Sequence, residues 1–128
     1  MTDTLFTPIT INTLEISNRI YMPAMHLGMA KEFEVTDQIV DFYTQRAKGG
    51  PGMICVGYAT IDELSGNTQN IGAHADWFIP GLTRLASAIK ENGSLAAVQI
   101  NHAGRYNFSF FLDGKQPVAP SAIASRMT

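Results

Sequence analysis

The sequence predicts an α/β fold in which parallel strands alternate with helices, and three observations carry that prediction. Three short apolar runs, Arg19–Met25, Met53–Gly57 and Leu95–Ile100, have the unbroken hydrophobicity of strands buried on both faces. Two stretches of helical period lie between them, each ended by a glycine, at Gly49-Gly50 and at Asn92-Gly93. The order strand, helix, strand, helix, strand implies right-handed crossovers between parallel strands. A chain of 128 residues, 45% hydrophobic and 16% charged, has the length for one domain with its own core and is too apolar to be disordered.

The elements follow in order. Over residues 8–17, Ile9 and Ile11 alternate with polar residues, Asn12-Thr13 makes a two-residue turn, and Leu14 and Ile16 alternate on the return, which is a hairpin pattern. Ser17-Asn18 breaks the alternation. The βαβαβ pattern then occupies residues 19–105. Pro23 cannot donate to a ladder, so it belongs at the end of the first strand, where the backbone leaves the sheet. Thr36 or Asp37 caps a helix whose Ile39, Val40, Phe42, Tyr43 and Ala47 share a face. After the second strand, the polar stretch from Asp62 to Asp76 is too long for a tight turn and reads as a candidate functional loop. Pro80 suits a first helical turn, and Leu82, Leu85, Ala86 and Ile89 form that helix's apolar face. The tail, 106–128, reads as irregular, with Pro117, Pro120 and an aromatic group of Tyr106, Phe108, Phe110 and Phe111.

Composition and motifs exclude several functions. Nine Lys and Arg against eleven Asp and Glu, a net charge of −2, give no basic surface for nucleic acid or acidic membranes. The single cysteine, Cys55, precludes a disulfide framework or thiolate cage and fits a reducing, cytoplasmic setting; mid-strand, it reads as an inert buried thiol. No run approaches the roughly 20 apolar residues of a membrane span, and the N-terminus lacks the pattern of a signal peptide. No G-x-G-x-x-G, Walker loop or G-x-S-x-G elbow is present, and His26, His74 and His102 lack metal-ligand spacing. His102 reads as structural, bonded within its own loop, and His74 as solvent-exposed. The aromatic group at 106–111 is either a substrate wall or a surface packed on a neighbour.

In parallel sheets and barrels, ligands gather at the carboxyl ends of the strands. Those ends here read Pro23-Ala-Met-His26, Gly57-Tyr-Ala-Thr60 and Gln99-Ile-Asn-His-Ala-Gly-Arg105. They lack the paired carboxylates of a glycosidase and suit a flat heteroaromatic ligand instead. Main-chain groups from Pro23 to Met25 and at Gly57-Tyr58, with the two-faced amide of Gln99, can read a pyrimidine-like edge. The small residues Ala24 and Gly57 let a ring lie close to the backbone.

The runs Ser17-Asn-Arg-Ile-Tyr-Met-Pro-Ala-Met-His26, Tyr43-Thr-Gln-Arg-Ala-Lys-Gly-Gly50 and Val98-Gln-Ile-Asn-His-Ala-Gly-Arg105, followed by Ala119-Pro-Ser-Ala122, resemble the N-terminal portion of the old yellow enzyme family of NADH:flavin oxidoreductases. The Met25-His26 pair is most similar to the branch containing 2,4-dienoyl-CoA reductases. The resemblance implies the N-terminal part of an FMN-type (β/α)8 TIM barrel, a hairpin plus about three βα units. It implies FMN contacts from Pro23, Ala24, Met25, Tyr58 and Gln99, and places His26 beside the flavin on the substrate side. It implies hydride transfer from NADH or NADPH through the flavin to an activated C=C bond of an enone, enoate or enoyl-CoA. The family's acid/base pair and phosphate-holding loops come from later strands, so the catalytic set is expected to be incomplete in this chain. The alternative is a non-catalytic partial-barrel module that self-associates or pairs with another chain. Three strands with two open edges favour a homo-oligomer or a missing C-terminal portion.

Overall fold

The structure, a computed structural model, describes residues 4–126. The outermost residues of the expected domain, 1–3 and 127–128, lie outside the described residues. Strands β1 (Ile9–Ile11) and β2 (Leu14–Ile16) form an antiparallel hairpin in the register Ile9↔Ile16. Asn12, at φ 53°, supplies the left-handed backbone that a two-residue turn requires. Ile16 is the one buried residue of the pair and meets Gly52, immediately before the second barrel strand, so the hairpin lies at the N-terminal end of the sheet. Asn18 fastens that junction: its Nδ2 donates to Gly50 O at 2.8 Å, and its Oδ1 accepts from Gly52 N–H at 2.8 Å.

The parallel sheet is built on β4 (Met53–Thr60), which pairs along one edge with β6 (Leu95–Asn101). Its other edge carries β3 (Tyr21–Met22) against Met53 and Ile54, and β5 (Ile71–Gly72) against Ala59 and Thr60. The first strand is thus two residues long rather than the seven of its apolar run. Pro23 ends it because proline has no amide to give the ladder. The second strand runs three residues beyond its apolar core, to Thr60, because β5 supplies a partner at that height. That short strand lies inside the stretch read as loop from sequence, where two residues leave no periodicity to detect.

Helix α1 (Asp37–Lys48) begins at Thr36, whose Oγ1 accepts from Ile39 N–H and donates to Met29 O at 2.8 Å. It buries Ile39, Tyr43 and Ala47 against Ile54, Val56 and Ala59 of β4. Helix α2 (Ile79–Glu91) carries Pro80 in its first turn and adds Leu85 and Ile89 to the same core. Arg84 ties the two helices, donating to Val35 O at 3.0 Å and pairing with Asp37.

The segment 62–76 is packed. Ser65, Asn70, Ile71 and Gly72 are buried. Its backbone bonds the loop after β3, through Ala30 N–H to Gln69 O at 3.1 Å and Phe33 N–H to Thr68 O at 3.0 Å. His74 is not the solvent-exposed residue expected from a polar stretch. Its Nδ1 lies 3.2 Å from Thr60 Oγ1, and its ring packs against Phe33 and Phe78 at centroid distances of 5.3 and 4.9 Å. Polar residues can line a buried segment when each finds a partner, which composition does not reveal.

Candidate functional site

The C-terminal ends of three parallel strands lie side by side. The β4–β6 ladder runs unbroken from Met53↔Leu95 to Val56↔Val98 and resumes at Ala59↔Ile100. Two residues, Gly57 and Tyr58, therefore stand opposite one, Gln99, which is the count of a β-bulge. On the other side of β4 the chain has left β3 at Pro23, and Ala24-Met25 crosses directly over the bulge. A Cβ on Gly57 would lie 2.5 Å from Met25 N and 2.6 Å from Ala24 Cβ, so only glycine admits this approach. The structure thus brings Ala24, Met25, Gly57, Tyr58 and Gln99 into one row across the strand ends.

Strand alternation assigns the faces. Ala96 packs against the helix-covered core, so Ala97 and Gln99 fall on the opposite, barrel-interior face. Gln99 and Met25 are exposed there, with amide and thioether free to meet a ligand. Pro23 is exposed at the mouth of the row. His26 is exposed as well, with its ring 5.4 Å from that of Tyr58 and tilted by 34°. The Tyr58 hydroxyl donates to Asn70 Oδ1 at 3.2 Å, and the same oxygen accepts from Asn67 N–H at 2.9 Å. Burial raises the Tyr58 phenol above its ordinary range, opposed by its bond to Asn70, so it stays neutral and remains a donor.

Two buried residues that support the row were not singled out from sequence as site residues. Tyr43, 1% exposed, sends its hydroxyl from α1 to accept the Gly57 amide at 3.2 Å. Asn70 anchors Tyr58, and its Nδ2 is a buried donor with no protein partner. The signal for Tyr43 was available, since a tyrosine on the buried face of an amphipathic helix needs a partner for its oxygen.

A second group of contacts closes the rim between the loops after β4 and β6. Asn107 Nδ2 donates to Leu64 O and Gly66 O, both at 3.0 Å, and Ala103 N–H donates to Ser65 O at 2.8 Å. His102 bonds within its own loop, as the sequence predicts. Its Nδ1 accepts from Gly104 N–H at 2.9 Å, which leaves Nε2 to face Asp62 Oδ2 at 3.5 Å. Burial pushes the Asp62 carboxyl up, but bonds from the Ser65 hydroxyl and Leu64 N–H, with His102 beside them, outweigh it and hold the group below its ordinary range. Cys55 is buried and free. Phe108, Phe110 and Phe111 stack on one another at 4.1–5.9 Å and remain largely exposed. Among the described residues no cluster of His, Cys, Asp and Glu could hold a metal, and no helix is long and apolar enough to cross a membrane.

Parallel strands joined by helices, with an open, glycine-floored row at their carboxyl ends, have the arrangement of a partial TIM barrel. The chain belongs to the NADH:flavin oxidoreductase / NADH oxidase family, whose model matches residues 4–127. It is 46% identical over 97% of its length to a metal reductase of Desulforamulus reducens, of which it covers 18%. Among solved structures, it superposes on 2-naphthoyl-CoA reductase in complex with 2-naphthoyl-CoA with a TM-score of 0.90 and 28% identity, over 98% of this chain and 21% of that one. It matches an old yellow enzyme homologue from Zymomonas mobilis with a TM-score of 0.84 and 30% identity, over 94% of this chain and 34% of that one. The chain therefore spans from about a fifth to a third of the length of these relatives. The family's cofactor is FMN, with NADH or NADPH as reductant.

Proposed function

We propose that these residues form the first part of an FMN-dependent ene-reductase barrel and hold the pyrimidine side of the isoalloxazine. The observation that carries the proposal is the row Ala24–Met25, Gly57–Tyr58, Gln99, a glycine-floored cradle that a single Cβ would fill. The ring system is flat and carries alternating donors and acceptors on one edge. A side-chain amide offers both, and Gln99 is exposed on the interior face to present them. Pro23, Ala24 and Met25 line the ring from the first strand's end, and the Tyr58 backbone borders it from the second. When bound, the flavin supplies hydride transfer from NADH or NADPH to the β-carbon of an activated alkene.

His26, held against Tyr58, stands on the substrate side of this arrangement. It borders the space for an enone, enoate or enoyl-CoA and excludes water from one flank of it. The site favours the dienoyl-CoA-reductase-like branch on its Met25-His26 pair. The buried, unpaired Cys55 thiol is consistent with a reducing, cytoplasmic setting.

A second reading rests on the outer edge of β6. Val98 and Ile100 are 47% and 65% exposed on the helix-side face, and no strand among the described residues pairs beyond them. Such an edge is completed by further strands of the same polypeptide or by another chain. An FMN titration followed by flavin fluorescence, with solution mass measured in parallel, tests both readings. Stoichiometric FMN binding, with NADH oxidation dependent on 2-cyclohexenone, is expected of the polypeptide that carries the whole barrel. Absence of FMN binding there refutes the flavin reading, and a monomer with its β6 edge free of any partner strand refutes the second.

A further inference from the structure

The Gly57 amide lies at the point where β4 loses regular pairing on both sides. Toward β6, Gly57 shares the bulge with Tyr58 opposite Gln99. Toward β3, the first strand has ended at Met22. An amide so placed still requires an acceptor. It finds one 14 residues upstream, in the Tyr43 hydroxyl at 3.2 Å. Tyr43 sits in the core between α1 and the sheet, among Ile39, Ala47, Ile54 and Val56, on the face of β4 away from the barrel interior. Its ring is also fixed edge-on by Phe42 at a centroid distance of 5.2 Å. The hydroxyl is thus a rigid peg reaching through the core to the back of the bulge.

We propose that Tyr43 is a positioning residue for the flavin cradle, its hydroxyl holding the Gly57–Tyr58 bulge in the register that sets Gly57 beneath Ala24-Met25 and opposite Gln99. The geometry leaves little slack. The bulge is pressed from one side by Met25 N and Ala24, within 2.6 Å of where a Gly57 Cβ would stand, and is tied on the other by Tyr43. Release of the tie frees the bulge to rotate its peptide toward solvent or to slip toward regular pairing with Gln99. Either movement displaces the floor and one wall of the cradle together. Tyr43 is buried in the core behind β4, so its effect is exerted through Gly57. The inference rests on the flavin reading above for its consequence, while the tie itself stands on the geometry.

The test pairs Tyr43→Phe, which removes one oxygen and keeps the ring, with Ile39→Val, a conservative core change one turn earlier on the same helix that touches no bulge hydrogen bond. Amide hydrogen exchange at Gly57 and Tyr58 and FMN titration are measured in the polypeptide that carries the whole barrel, as parent and as both variants. Tyr43→Phe is expected to accelerate Gly57 exchange at least about tenfold and to weaken FMN binding about tenfold relative to Ile39→Val, the scale of one lost hydrogen bond. Equal protection and equal FMN affinity in the two variants overturn the proposal. If Tyr43→Phe does not fold, the parent decides: Gly57 protected as strongly as Val56 supports the tie, and exchange at the rate of an unbonded amide overturns it. A parent that binds no FMN refutes the flavin reading alone, and the exchange data still decide the role of Tyr43.

Discussion

Gly57→Ala is the sharpest probe of the strand-end row. The added methyl would sit 2.5 Å from Met25 N, 2.6 Å from Ala24 Cβ and 2.9 Å from Ala24 C, where ordinary contact is 3.4–4 Å. All three are backbone or Cβ atoms, so no side-chain rotation relieves them. The end of β3 must retreat by about 1 Å, which would restore carbon contacts to about 3.5 Å. Overpacking of this kind costs about 1–3 kcal/mol. The same retreat moves the Ala24-Met25 wall away from Gln99, and misplacement on this scale in a preorganised site costs about a hundredfold in function. Urea denaturation measures the first effect, and FMN titration with NADH:2-cyclohexenone turnover measures the second, all in the polypeptide that carries the whole barrel. An unchanged midpoint together with unchanged FMN affinity would show that the crossing over Gly57 is looser than its geometry and refute the cradle argument.

Other outcomes follow from the supporting contacts. Asn107→Ala leaves Leu64 O and Gly66 O without their shared donor, and is expected to cost about 2–3 kcal/mol in denaturant stability; a loss below about 0.5 kcal/mol, the size of ordinary surface substitutions, sinks the rim-latch assignment. Ile89→Ala, at a position 0% exposed between α2 and the sheet, should lose about 2–5 kcal/mol in the same assay, and a milder effect would mean that the core collapses around the cavity. Asp62 is a depressed carboxylate, so its contribution is present above the ordinary carboxyl range near pH ~3.9 and is lost as pH falls through its lower folded value. The side chain is half exposed, so screening keeps this contribution below about 1 kcal/mol. Asp62→Asn should therefore trail the parent in stability at pH 7 by a margin that narrows as the pH falls below the ordinary carboxyl range, and a gap that does not narrow in acid contradicts the assignment.

Much of the architecture was readable from local rules. Thr36 at the start of α1, Pro80 in the first turn of α2 and the glycines after Lys48 and Asn92 act within a few residues of where they stand, so one chain segment discloses their effect. The strand-end residues were legible for a related reason: parallel strands bring their carboxyl ends to one side whatever their exact lengths. The two-residue strand at Ile71–Gly72 and the packing of His74 were not legible. Each depends on a partner supplied from elsewhere, β4 in one case and Phe33, Thr60 and Phe78 in the other.

By itself, then, the sequence determined the α/β class, the order of strands and helices, and the residue types available at the strand ends. Tertiary structure alone decided that Gly57 and Tyr58 would bulge opposite Gln99 and that Ala24-Met25 would press on that bulge. It also decided that a tyrosine from α1 would tie the bulge from behind. The physical reason is range. Helix caps, turns and hydrophobic period are set by neighbours along the chain, whereas a bulge is fixed by the balance of hydrogen bonds from both flanking segments and the core beneath, which exist only once the chain has folded.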